Sequence, residues 1–354
     1  MLPSSASTAN IIVLLLIITA SQSHAQSPAH HRFRGSTFLT QIRQACQDHG
    51  FFQIINHGIP DDIQAGMLSQ ARDLFNLPVE VKEKYNTGTD NRGYERLRAQ
   101  NFEKRGLGDL KEGFYLGKDL PVDHPSVQTG KFSQGPNRYP VEMRDVDGFR
   151  RIVDEYHERM SVLAEQLMSV VALTLGMEGA SFEGFCEEPV AILRLLKYPA
   201  QEVPPEGEGE GLERGIGAHT DFGAITILLQ DDKGGLQVWD GESAEWADVV
   251  PVPGALVVNL GNMMMRWTND RYLSNLHRVI NHSGEDRYSV PFFFSGNPDY
   301  VVDCLPNCQE NGQEAKYPPI TVAEWMGARY ADTYGSSKEK GMGELSGEAA
   351  AAIG

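Results

Sequence analysis

The chain has 354 residues, of which 41% are hydrophobic, 22% charged and 9% aromatic, enough apolar material for a large core. Its 31 Lys and Arg stand against 48 Asp and Glu, a formal charge of −17 that argues against nucleic-acid binding and against a polybasic membrane patch. Four cysteines in a chain this long are too few for a disulfide scaffold.

Residues 1–36 stand apart as an atypical N-terminus. Ile11–Ala20 (IIVLLLIITA) is apolar but shorter than the roughly 20 residues needed to span a bilayer. Ser23-His24-Ala25 approximates a small-x-small cleavage site, as in a secretory signal peptide, but residues 1–10 contain no Lys or Arg. The segment reads either as a signal or as a misassigned gene start.

Residues 37–186 read as a helical and mixed region packed on the core. Ile42, Ala45 and Cys46 share a helical face that Gly50 ends. Phe51–Asn56 reads as a buried strand, and His57–Pro60 as a turn with His57 structural. Asp61 is the expected cap of a helix through Phe75, with a short helix from Pro78 to about Tyr85. Residues 86–140 look irregular, apart from a strand at Gly113–Gly117. From Val141 to Met177 the apolar residues recur at three and four, the pattern of a long amphipathic helix.

After Phe185 the period shortens. Nine short runs predict strands: 190–198, 216–219, 225–229, 236–239, 246–250, 255–260, 277–281, 288–294 and 300–302. Such spacing indicates a mainly β fold, a sandwich or jelly roll, with flanking helices. The core is placed at 187–298, with a C-terminal strand and helix over 299–334. Residues 335–354 read as a disordered tail.

His219 and Asp221 lie two apart at the end of a predicted strand, so both side chains point to one side. His277 begins a later strand. Two histidines and a carboxylate suit a non-haem Fe(II) oxygenase. Zinc takes the same atoms, but the helical H-E-x-x-H arrangement is absent. Arg287 and Ser289 share another strand face, where a guanidinium beside a hydroxyl suits capture of a carboxylate. Tyr198 offers a phenolic hydroxyl.

In these residues, in Gly215–Gly223, Gly234–Val238, Pro253–Gly261, Arg266–Asp270, His277–Val279 and Arg287–Phe293, and in Gly50–Pro60, the chain resembles the Fe(II)/2-oxoglutarate-dependent dioxygenase superfamily, in its isopenicillin N synthase-like branch. The resemblance covers roughly residues 38–334 and implies a double-stranded β-helix. It implies Fe(II) held by His219, Asp221 and His277. It further implies 2-oxoglutarate held at its far carboxylate by Arg287 and Ser289 with help from Tyr198, and ascorbate as a reductant. The implied reaction consumes O2, releases succinate and CO2, and hydroxylates, desaturates or cyclises a small organic molecule of specialised metabolism or catabolism. An oxidase of this fold that dispenses with 2-oxoglutarate, and an inactive binding paralogue, are the alternatives.

Tyr115, Lys111, Arg98 and Phe293 are the expected substrate contacts. Two departures from the family pattern stand out. Plant members often carry Asn two positions before the tyrosine, where this chain has Leu196. The apolar strand that usually opens the family is not evident before Phe38, which would leave a sheet edge unpaired. Met263-Met264-Met265 reads as helix packing, Cys304 and Cys308 as structural, and the Asn281-His282-Ser283 sequon as unmodified. A cytoplasmic monomer is expected, or a secreted protein if residues 1–25 are cleaved.

Overall fold

The computed structural model describes residues 13–15, 36–88, 91–103, 108–202, 211–309 and 314–334. Most of the signal-like block and the expected tail lie outside them. The elements of the N-terminal half are β1 (Val13–Leu15), α1 (Ser36–Asp48), β2 (Phe51–Ile55), α2 (Asp61–Phe75), α3 (Val79–Lys82), β3 (Gly93–Glu95), β4 (Glu112–Gly117), α4 (Pro125–Gln128), α5 (Val146–Thr174) and α6 (Glu183–Cys186). There follow β5 (Val190–Tyr198), β6 (Ile216–His219), β7 (Ile225–Gln230), β8 (Leu236–Asp240), β9 (Glu245–Asp248), β10 (Leu256–Leu260), α7 (Asn262–Trp267), β11 (His277–Val279), β12 (Arg287–Gly296), β13 (Val301–Val302), β14 (Ile320–Thr321) and α8 (Val322–Tyr334).

Eight strands form the major sheet in the order β1-β2-β10-β7-β12-β5-β4-β3, and four form the minor sheet, β6-β11-β8-β9. Alternation divides the major sheet into two faces. Tyr288, Val290, Phe292 and Phe294 of β12, with Leu193 and Leu195 of β5, join the core beneath α1, α2 and α5. Arg287, Ser289, Pro291, Phe293 and Ser295 of β12 point the other way, as do Ile192, Arg194, Leu196 and Tyr198 of β5, and together they line a cavity facing the minor sheet. Pro291 offers no N–H, and the recorded β12–β5 register passes from Ser289↔Leu196 to Phe292↔Leu193 across it.

Several expectations need correction. The apolar N-terminal block supplies β1, which pairs in parallel with β2 at Leu14↔Ile54, so the expected gap at that sheet edge is filled. Within residues 86–140 the expected strand forms as β4, and a strand not expected, β3, pairs with it, so that the two extend the major sheet beyond β5. Asp61 is the first helical residue rather than the cap, and Pro60 precedes it in extended conformation. The long helix starts at Val146, because the Asp145 side chain accepts from Gly148 N and fixes the start there. The last predicted strand leaves both sheets and pairs with β14, a two-residue strand that directly precedes α8.

His57 is structural: its Nε2 meets the Gly254 carbonyl and its Nδ1 accepts from Ile59 N. Asn281 is buried, its amide donating to the carbonyls of Tyr198, Pro199 and Glu285. Met263 and Met264 are buried in α7.

A buried ion pair ties α3 to β4. Lys82 Nζ lies 2.6 Å from Glu112 Oε2, which also accepts from the Tyr94 hydroxyl at 2.6 Å. Removing one partner strands the other charge in the interior, a loss of about 3–5 kcal/mol. Lys82→Met is therefore expected to lower unfolding stability by that amount in urea titration; a loss below about 1 kcal/mol would contradict it.

Candidate active site

His219 closes β6 and His277 opens β11, and the two are register partners across the minor sheet. Their rings lie 4.2 Å apart between centroids. Asp221 follows β6 by two residues, and its Oδ1 lies 3.8 Å from His219 Nε2 and 3.7 Å from His277 Nε2. The three ligand atoms fall within 4.8 Å of one another, the one such group among the described residues.

The surroundings fix the state of each ligand. His219 Nδ1 faces the Gly217 carbonyl at 2.8 Å, and His277 Nδ1 faces the Asn275 carbonyl at 3.2 Å. A carbonyl only accepts, so both Nδ1 atoms carry the proton and both Nε2 lone pairs face the shared point. Asp221 Oδ2 accepts from Thr226 Oγ1 at 2.5 Å and from Asn259 Nδ2 at 2.7 Å, which leaves Oδ1 for the same point. Burial and the neighbouring His277 lower the pKa of His219 and keep its imidazole neutral. Burial opposes ionisation of Asp221, whereas the hydrogen bonds from Asn259 and Thr226 favour its charged form, and its pKa lies below the usual carboxylate range. Two imidazoles and one carboxylate on one side of a point form the donor set of a divalent metal that keeps open positions.

The hydrogen bonds to Asp221 yield a direct expectation. Removing such outer partners typically costs 10–100-fold in metal affinity. Asn259→Leu is expected to weaken Fe(II) binding by about that factor in anaerobic equilibrium dialysis; a change under about twofold would refute the role.

Arg287 is the second charged feature of the cavity. It is 1% exposed, its Nε donates to the Gly234 carbonyl at 2.5 Å, and its Nη2 donates to Gln230 Oε1 at 2.9 Å. Nη1 has no partner among the described residues. The guanidinium sits 4.9 Å from the centroid of the Tyr198 ring. Burial raises the pKa of the Tyr198 phenol, against the opposing pull of Arg287 and a hydrogen bond with Ser289, so it remains protonated. A buried guanidinium with an unused N–H and two hydroxyls beside it fits a dicarboxylic acid reaching in from the metal.

The cavity, about 1030 Å³ with its open mouth included, brings together the three metal-type ligands, Arg287, Ser289, Tyr198, Tyr115 and Phe293. Two of the expected substrate contacts lie elsewhere. Lys111 is buried behind the wall, bonded to Gln100 Oε1 and 3.8 Å from both Glu95 and Asp109. Arg98 turns outward, pairing with Glu213 at 2.7 Å. Residues not anticipated include Gln100, Arg194 and Ser295 on the wall, and Phe102, whose ring stacks on His219 at 4.7 Å. Arg194 and Asn259 each interrupt an otherwise apolar strand, and that interruption is the signal that marks them.

Comparison with known proteins agrees with this site. The 2OG-Fe(II) oxygenase superfamily matches residues 189–296, and the N-terminal family of the non-haem dioxygenases in morphine synthesis matches residues 20–142. The 2-oxoglutarate-Fe(II) type oxidoreductase hxnY of Emericella nidulans is 49% identical over 302 residues, 85% of this chain and 86% of that protein. The chain belongs to the 2OG-Fe(II) oxygenase superfamily. Another relative is the 2-oxoglutarate-dependent dioxygenase citB of Monascus ruber, 44% identical over 84% of this chain and 89% of its own length. Among solved structures, a Neurospora crassa protein in complex with alpha-KG and thymine superposes with TM-score 0.73 at 28% identity, covering 84% of this chain and 91% of that one. JOX2 in complex with 2OG, Fe and JA superposes with TM-score 0.69 at 29% identity, covering 84% and 82%. As a member of this superfamily, the chain is an Fe(II)- and 2-oxoglutarate-dependent oxidoreductase of a small organic substrate, built on a double-stranded β-helix. Among the described residues no helix is long and apolar enough to cross a membrane.

Proposed function

We propose that His219, Asp221 and His277 hold Fe(II), that Arg287, Ser289 and Tyr198 hold the far carboxylate of 2-oxoglutarate, and that Tyr115 and Phe293 contact the substrate. The observation that carries this reading is a buried Arg287, its Nη1 without a partner among the described residues, in the same cavity as His219, Asp221 and His277. When bound, the metal supplies the redox chemistry that couples decarboxylation of 2-oxoglutarate by O2 to substrate oxidation. The chain's own residues orient and shield. Arg287 neutralises the distal carboxylate and fixes its direction, the hydroxyls of Ser289 and Tyr198 complete its hydrogen bonds, and Leu196 and Leu228 keep the bound acid dry. The outcome is hydroxylation, desaturation or ring closure in specialised metabolism or catabolism, with ascorbate keeping the metal reduced.

Residues 187–298 form the catalytic core in this reading, and the enzyme works as a cytoplasmic monomer without nucleic-acid partners. The −17 charge and four free cysteines support that setting. The test is succinate formation by purified protein with Fe(II), ascorbate and a panel of small aromatic and heterocyclic compounds. Substrate-dependent succinate at one per oxidised product is expected. Product formed without 2-oxoglutarate would favour the oxidase that dispenses with it.

A further inference from the structure

The cavity's two arginines are held in opposite ways. Arg194 donates to the Glu95 carboxylate, as the buried Lys82 does to Glu112. Arg287 meets only neutral groups. Its Nε donates to the Gly234 carbonyl and its Nη2 to the side-chain amide oxygen of Gln230, while its Nη1 has no partner among the described residues. The Tyr198 ring beside it carries a protonated phenol. Asp231, the next residue after Gln230, spends its carboxylate on the backbone N–H groups of Tyr288 and Lys233.

Gln230 ends β7, and the register sets it opposite Ser289 of β12. Opposed residues of an antiparallel pair stand on the same face, so Gln230 is on the cavity side of the sheet with Ser289 and Arg287. On the other flank of Ser289 the register partner is Leu196, which has no polar side-chain atom. Among the described residues, Gln230 is the one side chain that accepts from Arg287. A guanidinium only donates, so the amide turns its oxygen to Arg287 and its Nε2 away. That Nε2 is itself buried and has no partner among the described residues.

A cation without a counter-ion and an N–H without an acceptor therefore belong to two residues bonded to each other. Each is a buried deficit that negative charge offsets. A glutamate side chain has the shape of this amide and would meet both needs from within the chain. It would also use up the charge of Arg287. A neutral acceptor aims the guanidinium and leaves its charge for a ligand.

We propose that Gln230 is a positioning residue for the cosubstrate. Its neutral amide aims Arg287 into the cavity without neutralising it, and so confines the site to keto acids that bring a second carboxylate of their own. Gln230 acts through Arg287 and not on the reacting atoms. The inference rests on the assignment of the Arg287 end of the cavity to 2-oxoglutarate.

Two probes isolate the far carboxylate. 2-Oxoglutarate and 2-oxopentanoate share the keto acid end and the chain length, but 2-oxopentanoate ends in a methyl group. Each is titrated anaerobically into the Fe(II)-loaded protein and followed by the visible absorption of its metal chelate. The readout is the ratio of the two dissociation constants, because a general disturbance of the fold weakens both acids alike. The native protein should favour 2-oxoglutarate by about 30-fold to several thousand-fold, the range for a buried charge pair. Gln230→Glu should bring the two acids within about threefold, because Arg287 is then matched by its own chain. Gln230→Leu removes the hold but adds no charge, so it should lose only about 10-fold of the preference. A native ratio in either variant, or an equal loss in both, would overturn the proposal. Arg287→Gln, measured alongside, separates this from the assignment beneath it. Loss of the preference in Arg287→Gln with a native ratio in Gln230→Glu refutes the role of Gln230 alone. No preference in the native protein, or an unchanged one in Arg287→Gln, would instead count against the assignment of the Arg287 end.

Discussion

Asp221→Ala is expected to abolish iron-dependent turnover. In the proposed ligand set Asp221 is the only anion, so its loss would remove the charge that offsets the divalent ion as well as one of three donor atoms. Changes to hydrogen-bond partners outside such ligand sets already cost 10–100-fold in affinity, so loss of the carboxylate itself should exceed about 100-fold. Metal analysis after anaerobic dialysis checks this, and succinate formation should fall to the background without enzyme. The change also strands Asn259 Nδ2 and Thr226 Oγ1, which both donate to Asp221. A melting measurement beside the metal analysis separates lost iron from lost fold. Near-native iron content in a folded Asp221→Ala protein would remove Asp221 from the ligand set.

Arg287→Gln should act on the cosubstrate instead. Truncating one partner of a buried, hydrogen-bonded charge pair costs about 2–5 kcal/mol, so the KM for 2-oxoglutarate should rise by about 30-fold to several thousand-fold. Iron affinity should change little, because none of the metal-type ligands bonds to Arg287. Arg287→Lys should recover only part of the loss. An ammonium keeps the charge but cannot both donate to Gly234 and Gln230 and present a parallel pair of N–H groups to a carboxylate. An unchanged KM in Arg287→Gln would place the distal carboxylate elsewhere.

The parts of the site that were legible in the sequence follow strand periodicity. His219 and Asp221 share a side because side chains alternate, and the same rule put Arg287, Ser289 and Phe293 on one face of β12. His277 is different, since it is 58 residues beyond His219, and only pairing of β11 with β6 brings the rings together. Family resemblance supplied that contact; local pattern does not contain it.

Arg194 was hidden by its context. In VAILRLLKY the charges of Arg194 and Lys197 interrupt an apolar run and so mark themselves, but they lie on opposite faces, and the run does not say which face is core and which is cavity. Lys111 erred in the opposite direction. It precedes β4 in a stretch without a clear period, so nothing local says that it points behind the wall at Gln100 rather than into the cavity. Ile11–Ala20 shows a third kind of ambiguity, because an apolar run of that length suits a signal peptide and a sheet strand equally. The parallel pairing of Val13–Leu15 with β2 is a tertiary fact.

The central claim is that one cavity holds Fe(II) at His219, Asp221 and His277 and 2-oxoglutarate against Arg287. Anaerobic titration of the purified protein with Fe(II) and then 2-oxoglutarate, followed by visible absorption, tests it most directly. The account predicts a charge-transfer band that saturates at one metal and one 2-oxoglutarate per chain, is absent in Asp221→Ala, and needs far more 2-oxoglutarate in Arg287→Gln. A band of equal strength and equal 2-oxoglutarate dependence in all three proteins would contradict it.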